Sequence, residues 1–353
     1  MSKKATTILA IETSCDETAI AVVQCWGGLK KPTYKILSNI VSSQINIHKE
    51  FGGVVPNIAK REHLKKLPIV LTRALLKAKI KKPEKELDAI AVTRGPGLEP
   101  ALWTGINLAQ ELSQAWNLPL VGANHMEGHI VAMLLNQKEH RTVSFPAIAL
   151  LVSGGHTELV YIEGWSRYGI IGQTLDDAAG EAFDKVARMM NLSYPGGPMI
   201  SRLARQGKKD AFPFPRPMIH VKNFNFSFSG LKTAVLYTIR DLEKSGTPYK
   251  KEDIAASFET AAVEVLVSKT IRALKETNAH SLILGGGVAA NTRLRNTIKK
   301  SANTLNKNIR TFLPTQKLTT DNAAMIGAAA YFSVLKKNFT NWNKLKAHAT
   351  LEL

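Results

Sequence analysis

Two stretches of the chain carry the same alternation of apolar and polar positions. Residues 8–23, ILAIETSCDETAIAVV, predict a strand, a polar turn and a second strand; residues 147–162, AIALLVSGGHTELVYI, predict the same. Each hairpin is followed by an apolar run, a glycine-rich loop and a segment of helical period: LDAIAVTRGPGLEPALWTGINLAQEL at 87–112 and HSLILGGGVAANTRLRNTI at 280–298. One α/β design made twice predicts two lobes with a cleft between them. The N-terminal lobe is placed at 1–124, completed by a C-terminal helix at about 322–345, and the C-terminal lobe at 125–321.

Backbone N–H groups in such turns, and at helix starts after glycine loops, bind phosphate oxygens. They are also ordinary α/β turns, but four related elements in order favour the phosphate reading. The order resembles the actin-like ATPase superfamily (ASKHA, ribonuclease H-like), which includes sugar kinases. Two other nucleotide folds fit poorly. The chain has no GxxxxGK[ST] sequence. Gly285 to Ala290 fits G-x-G-x-x-A, but residues 303–312 lack the acidic residue that a dinucleotide site needs.

Composition narrows the class. The 353 residues suit two domains, and 44% hydrophobic content suits a full core. No apolar run approaches a membrane span, and the polar start Met1 to Thr7 does not resemble a signal peptide. Cys15 and Cys25 make no disulfide framework, so a reducing cytoplasm is expected. The net charge of +19, from 47 basic and 28 acidic residues, suggests a polyanionic partner, nucleic acid or an anionic membrane, or a solubilising surface. Many basic residues fall in runs: Lys77 to Lys85, Lys299 to Arg310 and Lys336 to Lys346.

The sharpest chemistry lies in NHMEGHIVAMLL, residues 124–135. Apolar spacing after Met126 predicts a helix, which sets His125 and His129 on one face at i and i+4. That spacing suits two imidazoles on one metal ion. Glu127, two residues after the first histidine, points off that face, unlike the glutamate of H-E-x-x-H proteases. Asp321 is the best candidate for a third ligand, at the start of a small-residue helix opened by Thr320 or Asp321.

The chain resembles the TsaD family, once called O-sialoglycoprotein endopeptidases, from about Ile8 to about Phe332. The resemblance rests on IETSCDET (11–18), FGGVVPNIAKREH (51–63), GPGL (95–98), NHMEGH (124–129), LLVSGGHTEL (150–159), DDAAGEAFDKVAR (176–188), YPGGP (194–198), FSFSGLKTA (226–234), GGGVAAN (285–291) and TDNAAMIG (320–327). It implies an acyltransferase that moves threonylcarbamoyl from threonylcarbamoyl-AMP to N6 of adenosine 37 in tRNAs reading ANN codons. It implies His125, His129 and Asp321 as ligands of one divalent ion, Fe2+ or Zn2+. It also implies that Val152, Ser153, Gly154, Gly155, His156, Asp184, Gly197 and Asn291 line the acyl-adenylate. Expected partners are tRNA, the TsaB paralogue and the TsaE ATPase, with TsaC making the intermediate; no membrane is involved.

Physical reading adds roles to that set. The N–H groups of Ser153 to Gly155 face developing negative charge, and Asp184 faces ribose hydroxyls. Asp16 and Glu17, in the first hairpin turn, order water or accept the amine proton; otherwise they fix the turn. The chain departs from the family at Pro100, where glycine is common; proline fixes φ and removes a donor. Asn124 replaces a frequent histidine, and the arm Cys25 to Thr33 is longer and more basic than usual. The aromatic stretch 211–230 offers stacking surfaces beside Arg216 and Lys222 or, the reading favoured here, packs a loop. Competing functions are a metallopeptidase, a small-molecule kinase and a non-catalytic scaffold. The misplaced Glu127, the paired histidines and the intact ligand set speak against them in turn.

Overall fold

The computed structural model describes residues 5–136 and 142–353; Met1 to Lys4 of the polar start lie outside them. By its internal contacts the chain divides into two compact units, Met1–Thr142 with Thr320–Leu353, and Val143–Thr319. The division falls after the helix His125–Val131, not before it, so both histidines and Asp321 belong to the first unit.

The first unit is built on β1 (Thr6–Glu12), β2 (Glu17–Trp26), β3 (Thr33–Ser43), β4 (Ala89–Gly95) and β5 (Leu120–Asn124), in the order β3-β2-β1-β4-β5. β1 to β3 run antiparallel, while β4 joins β1, and β5 joins β4, in parallel. The second unit holds β6 (Ala147–Val152), β7 (Thr157–Gly164), β8 (Arg167–Gln173), β9 (Ser281–Gly285) and β10 (Arg310–Phe312), in the order β10-β9-β6-β7-β8. Here too the first three strands are antiparallel and the last two parallel. The two sheets therefore share one topology, and the duplication legible in two hairpins extends to all ten strands.

β1, β2, β4 and β6 read as nearly continuous apolar runs because helices pack on the faces of their sheets; Ile8 to Ile11 and Ala147 to Val152 are fully buried. The helix Glu99–Trp116 buries Ala101, Leu102, Ile106 and Ala109 against the first sheet. Pro100 occupies its first turn, where a missing N–H is already without a helical partner, so the helix start accommodates proline. The small-residue helix Ala323–Leu335 is buried from Ala323 to Phe332. Its start is corrected: Asn322 is the cap, accepting from Met325 N at 3.2 Å, and Asp321 stands just outside the helix.

In the second unit, the helix Lys251–Glu276 runs through the core, with Phe258 edge-on to Phe183 at 4.9 Å. The aromatic stretch packs into this core: Phe214, Phe226 and Phe228 are buried, and Arg216 pairs with Glu264. The long arm Cys25 to Thr33 turns through Gly27 and Gly28 at positive φ, and Gly28 N–H donates to the Tyr331 hydroxyl at 3.2 Å. Among the described residues no helix is long and apolar enough to cross a membrane.

Candidate metal centre and substrate loops

The helix His125–Val131 begins one residue earlier than the apolar spacing suggests, because Asn124 caps it. The Asn124 side-chain oxygen accepts from Met126 N at 2.8 Å and from Glu127 N at 3.3 Å. One turn later His129 stands beside His125, ring centroids 4.7 Å apart and planes at 85°. Gly128, between them in sequence, lets the helix approach Ala323–Leu335: a Cβ there would come within about 3.0 Å of Ile326 Cδ1. That approach brings Asp321 Oδ1 to 3.4 Å from His125 Nε2 and 3.2 Å from His129 Nε2. The three ligand atoms lie within 4.8 Å of one another.

The group fits a divalent metal ion by its own geometry. His129 is 1% exposed, and neither ring nitrogen makes a hydrogen bond; its contact with Asp321 is close but not aligned for one. Buried polar atoms left without partners cost about 1–3 kcal/mol each, and a cation facing Nε2 removes that cost. Two imidazoles and a carboxylate form a donor set suited to zinc or iron. Without a cation the charges compensate otherwise. Burial opposes charge on His125, but the Asp321 and Glu12 carboxylates hold its imidazole well above the usual value. Burial likewise opposes charge on Asp321, yet His125 keeps its carboxyl well below the usual carboxylate range.

Glu12, which sequence reasoning did not single out, completes the centre. It ends β1, is fully buried, and its Oε2 sits 3.0 Å from His125 Nδ1 and 2.6 Å from Thr93 Oγ1. Ser14 N–H donates to its other oxygen. A proton on His125 Nδ1 shared with Glu12 leaves the Nε2 lone pair facing Asp321, the usual way a carboxylate orients a metal-binding histidine. Two carboxylates and two neutral imidazoles sum to −2, which a divalent cation balances. The available signal was a lone acid closing the apolar run ILAIE: a charge carried into the core needs a partner.

The turn after β1 carries Asp16 and Glu17. Asp16 is 8% exposed; Glu17 is partly exposed and accepts from Ser43 Oγ at 3.1 Å. Burial, then the charges of Asp16 and Asp321, push the Glu17 carboxyl well above its usual range. The same influences push the Cys15 thiol up, leaving it un-ionised and a poor nucleophile. The turn is held from below by His63, another residue sequence reasoning passed over. His63 Nε2 lies 3.0 Å from the Cys15 carbonyl oxygen, and its Nδ1 lies 2.8 Å from Thr18 Oγ1. The first glycine loop is also occupied: Gly97 N–H donates to Ala349 O, and Leu98 N–H to Ser14 O. Those two amides serve the fold and are not free for phosphate.

In the second unit the β6–β7 turn is closed by Ser153 N–H to His156 O at 2.8 Å and by His156 N–H to Ser153 Oγ at 3.1 Å. Val152 is fully buried and points into the core, so it contributes no surface to the loop. The glycines divide by what surrounds them. A Cβ on Gly180 would fall 2.4 Å from Ser153 O and one on Gly286 2.3 Å from Val152 O, so packing requires those glycines. A Cβ on Gly154, Gly155 or Gly197 would meet nothing within 4 Å, so packing does not explain these glycines. Asp184 Oδ1 accepts from Gly196 N at 2.6 Å, which anchors the Tyr194 to Gly197 loop. Asn291 caps the helix Thr292–Leu305 through Leu294 N, and its amide donates to Ser201 Oγ and to the buried Glu259. The candidate residues thus form two sets: Asp16, Glu17, His125, His129 and Asp321 in the first unit, and Val152 to His156, Asp184, Gly197 and Asn291 in the second.

Comparison with known proteins accords with this arrangement. HypF of T. kodakarensis superposes with a TM-score of 0.59 at 14% identity over 98% of this chain, which spans about half (50%) of the HypF length. The activator of the 2-hydroxyisocaproyl-CoA dehydratase from Clostridium difficile superposes with a TM-score of 0.51 at 12% identity, covering 94% of this chain and 97% of that one. These likenesses show the actin-like α/β fold. The tRNA N6-adenosine threonylcarbamoyltransferase of Thermosipho africanus is 48% identical over 98% of this chain and 99% of its own. The enzyme of the same name from Bacillus subtilis is 49% identical over 91% of this chain and 89% of its own. The TsaD family model, described as tRNA N6-adenosine threonylcarbamoyltransferase, matches residues 35–328, and the chain belongs to that family.

Proposed function

We propose that this chain transfers the threonylcarbamoyl group from threonylcarbamoyl-AMP to N6 of adenosine 37 in tRNAs reading ANN codons, in the cytoplasm. The observation that carries this reading beyond family membership is the intact His125, His129 and Asp321 group with Glu12 behind it. A non-catalytic scaffold has no use for two buried imidazoles and an aligned carboxylate.

The exocyclic amine of adenosine is a poor nucleophile, and the donor's mixed anhydride compensates. The new N6–carbonyl bond forms as the carbonyl–phosphate oxygen bond breaks; AMP leaves and the amine loses a proton. A divalent ion, Fe2+ or Zn2+, held by His125, His129 and Asp321 would supply Lewis-acid stabilisation of substrate oxygens. Glu12 fixes the His125 ring for that task. Gly154 and Gly155 are exposed in the β6–β7 turn, and their amides are suited to a carbonyl or phosphate oxygen. Asp184 and Asn291, tied to the loops they anchor, set the shape of the adenylate site. Asp16 or Glu17 orders a water or accepts the amine proton.

The partners follow from the same reading: tRNA as substrate, TsaB and TsaE in a shared assembly, and TsaC as the source of the intermediate. The test is reconstitution with tRNA transcript, bicarbonate, threonine, ATP and the intermediate-forming enzyme, with and without TsaB and TsaE. Mass spectrometry of digested tRNA should show N6-threonylcarbamoyladenosine, lost in His125→Ala and Asp321→Ala. Folded, metal-loaded protein that gives no product in any mixture overturns the assignment.

A further inference from the structure

From residue 277 to residue 320 the chain has no Asp or Glu but seven Lys and Arg. Two of the seven serve the fold. Arg293 pairs with the buried Glu259, and Arg295 donates to the Ala289 and Pro314 carbonyls. Lys299, Lys300 and Lys307 are exposed, and none forms an ion pair among the described residues. The helix Thr292–Leu305 buries Leu294, Ile298 and Ala302 on its inner face. Its outer face, with Lys307 just beyond, is an open groove of three lysines with Asn296, Asn303 and Thr304.

Helix stability does not account for these lysines. No acid stands three or four residues away, so they gain no stabilising pairs, and Lys299 follows the like-charged Arg295 at i+4. The last turn of the helix contains no basic residue, so the helix dipole is not the reason for Lys299 and Lys300 either. The run Lys77 to Lys85 differs. Lys77 lies in the last turn of its helix, and Glu86 accepts from the Lys81 and Lys82 amides.

We propose that this outer face, Lys299, Lys300 and Lys307 with Asn296 and Asn303, binds the sugar–phosphate backbone of the tRNA substrate. The proposal rests on the transferase reading and names the surface through which the chain holds its polyanion. Lysines meet phosphates as point charges, and asparagine amides donate to phosphate or accept from a ribose hydroxyl. Such contacts position RNA without reading sequence. The face has no aromatic residue on which an unstacked base could rest. The same helix starts at Asn291, so Lys299 stands about 12 Å along its axis from the adenylate loops. One rigid element therefore joins the proposed reacting region to the backbone contact.

The test compares wild-type chain, in its complete reconstituted mixture, with the triple variant Lys299→Ala, Lys300→Ala, Lys307→Ala and with the triple arginine variant. Affinity for tRNA transcript is read from 50 to 200 mM salt, together with KM and kcat for modification. Three lost phosphate contacts should flatten the salt dependence, so that across this range wild-type affinity falls roughly 20- to 40-fold more than that of the alanine variant. KM for tRNA should rise for every accepted tRNA, with kcat, metal content and thermal midpoint unchanged, and arginine should restore the wild-type slope. An alanine variant with wild-type salt slope and KM overturns this surface while leaving the transferase reading intact. A wild-type mixture that makes no modified adenosine overturns both.

Discussion

Glu12 Oε2 lies 3.0 Å from His125 Nδ1 across 113 residues of chain, fully buried, and so fixes which imidazole nitrogen faces Asp321. Glu12→Gln keeps the shape but replaces an anionic acceptor by an amide. It should weaken metal affinity about 10- to 100-fold with little change in secondary structure. Chelator competition measures this; unchanged affinity would mean that Glu12 serves only the turn at Ser14.

His129 buries two ring nitrogens without hydrogen bonds, so bound metal should stabilise the first unit. Metal at 100 times its dissociation constant adds about 2.7 kcal/mol to unfolding. Chelation should lower the thermal midpoint of wild type, while His129→Ala should bind no metal and show no response to chelator. A midpoint indifferent to metal in the wild type would remove the metal from this group.

Gly155 faces open space, whereas Gly180 packs against Ser153 O. Gly155→Ala should leave stability within about 0.5 kcal/mol yet reduce transfer by on the order of tenfold or more, since a small displacement of reacting groups is costly. Gly180→Ala should instead lower stability by about 1–3 kcal/mol. Denaturant melts beside single-turnover assays separate the two; equal melts for both variants would refute the distinction.

His63 joins the Cys15 carbonyl to Thr18 inside the first unit. His63→Leu leaves both without a partner and should cost about 1–3 kcal/mol. His63→Gln, which keeps an amide donor, should recover part of that loss and more of kcat. If Leu and Gln behave alike in melts and in kcat, the hydrogen bond to Cys15 is unimportant.

Local order was legible in the residues. The i, i+4 histidines, the paired hairpins and the glycine loops each depend on a few neighbouring positions, and Asp321 was offered by the start of the small-residue helix as well as by the resemblance. The packing roles of Glu12, His63 and Glu259 were not legible, because each acts on a residue at least 32 positions away in sequence. Nor could spacing tell that the Gly97 amide is consumed by Ala349, or that a side chain at Gly155 would meet nothing within 4 Å.

The sequence by itself determined the doubled α/β design, the helix that carries His125 and His129, and the basic excess, since periodicity and composition are properties of the chain. Only the tertiary structure decided that this helix belongs with Met1–Thr142 and Thr320–Leu353. The reason is steric and electrostatic. Gly128 has no side chain to hold Ile326 away, so two helices close until Asp321 meets both imidazoles, and Glu12 is buried where His125, Thr93 and Ser14 satisfy its charge.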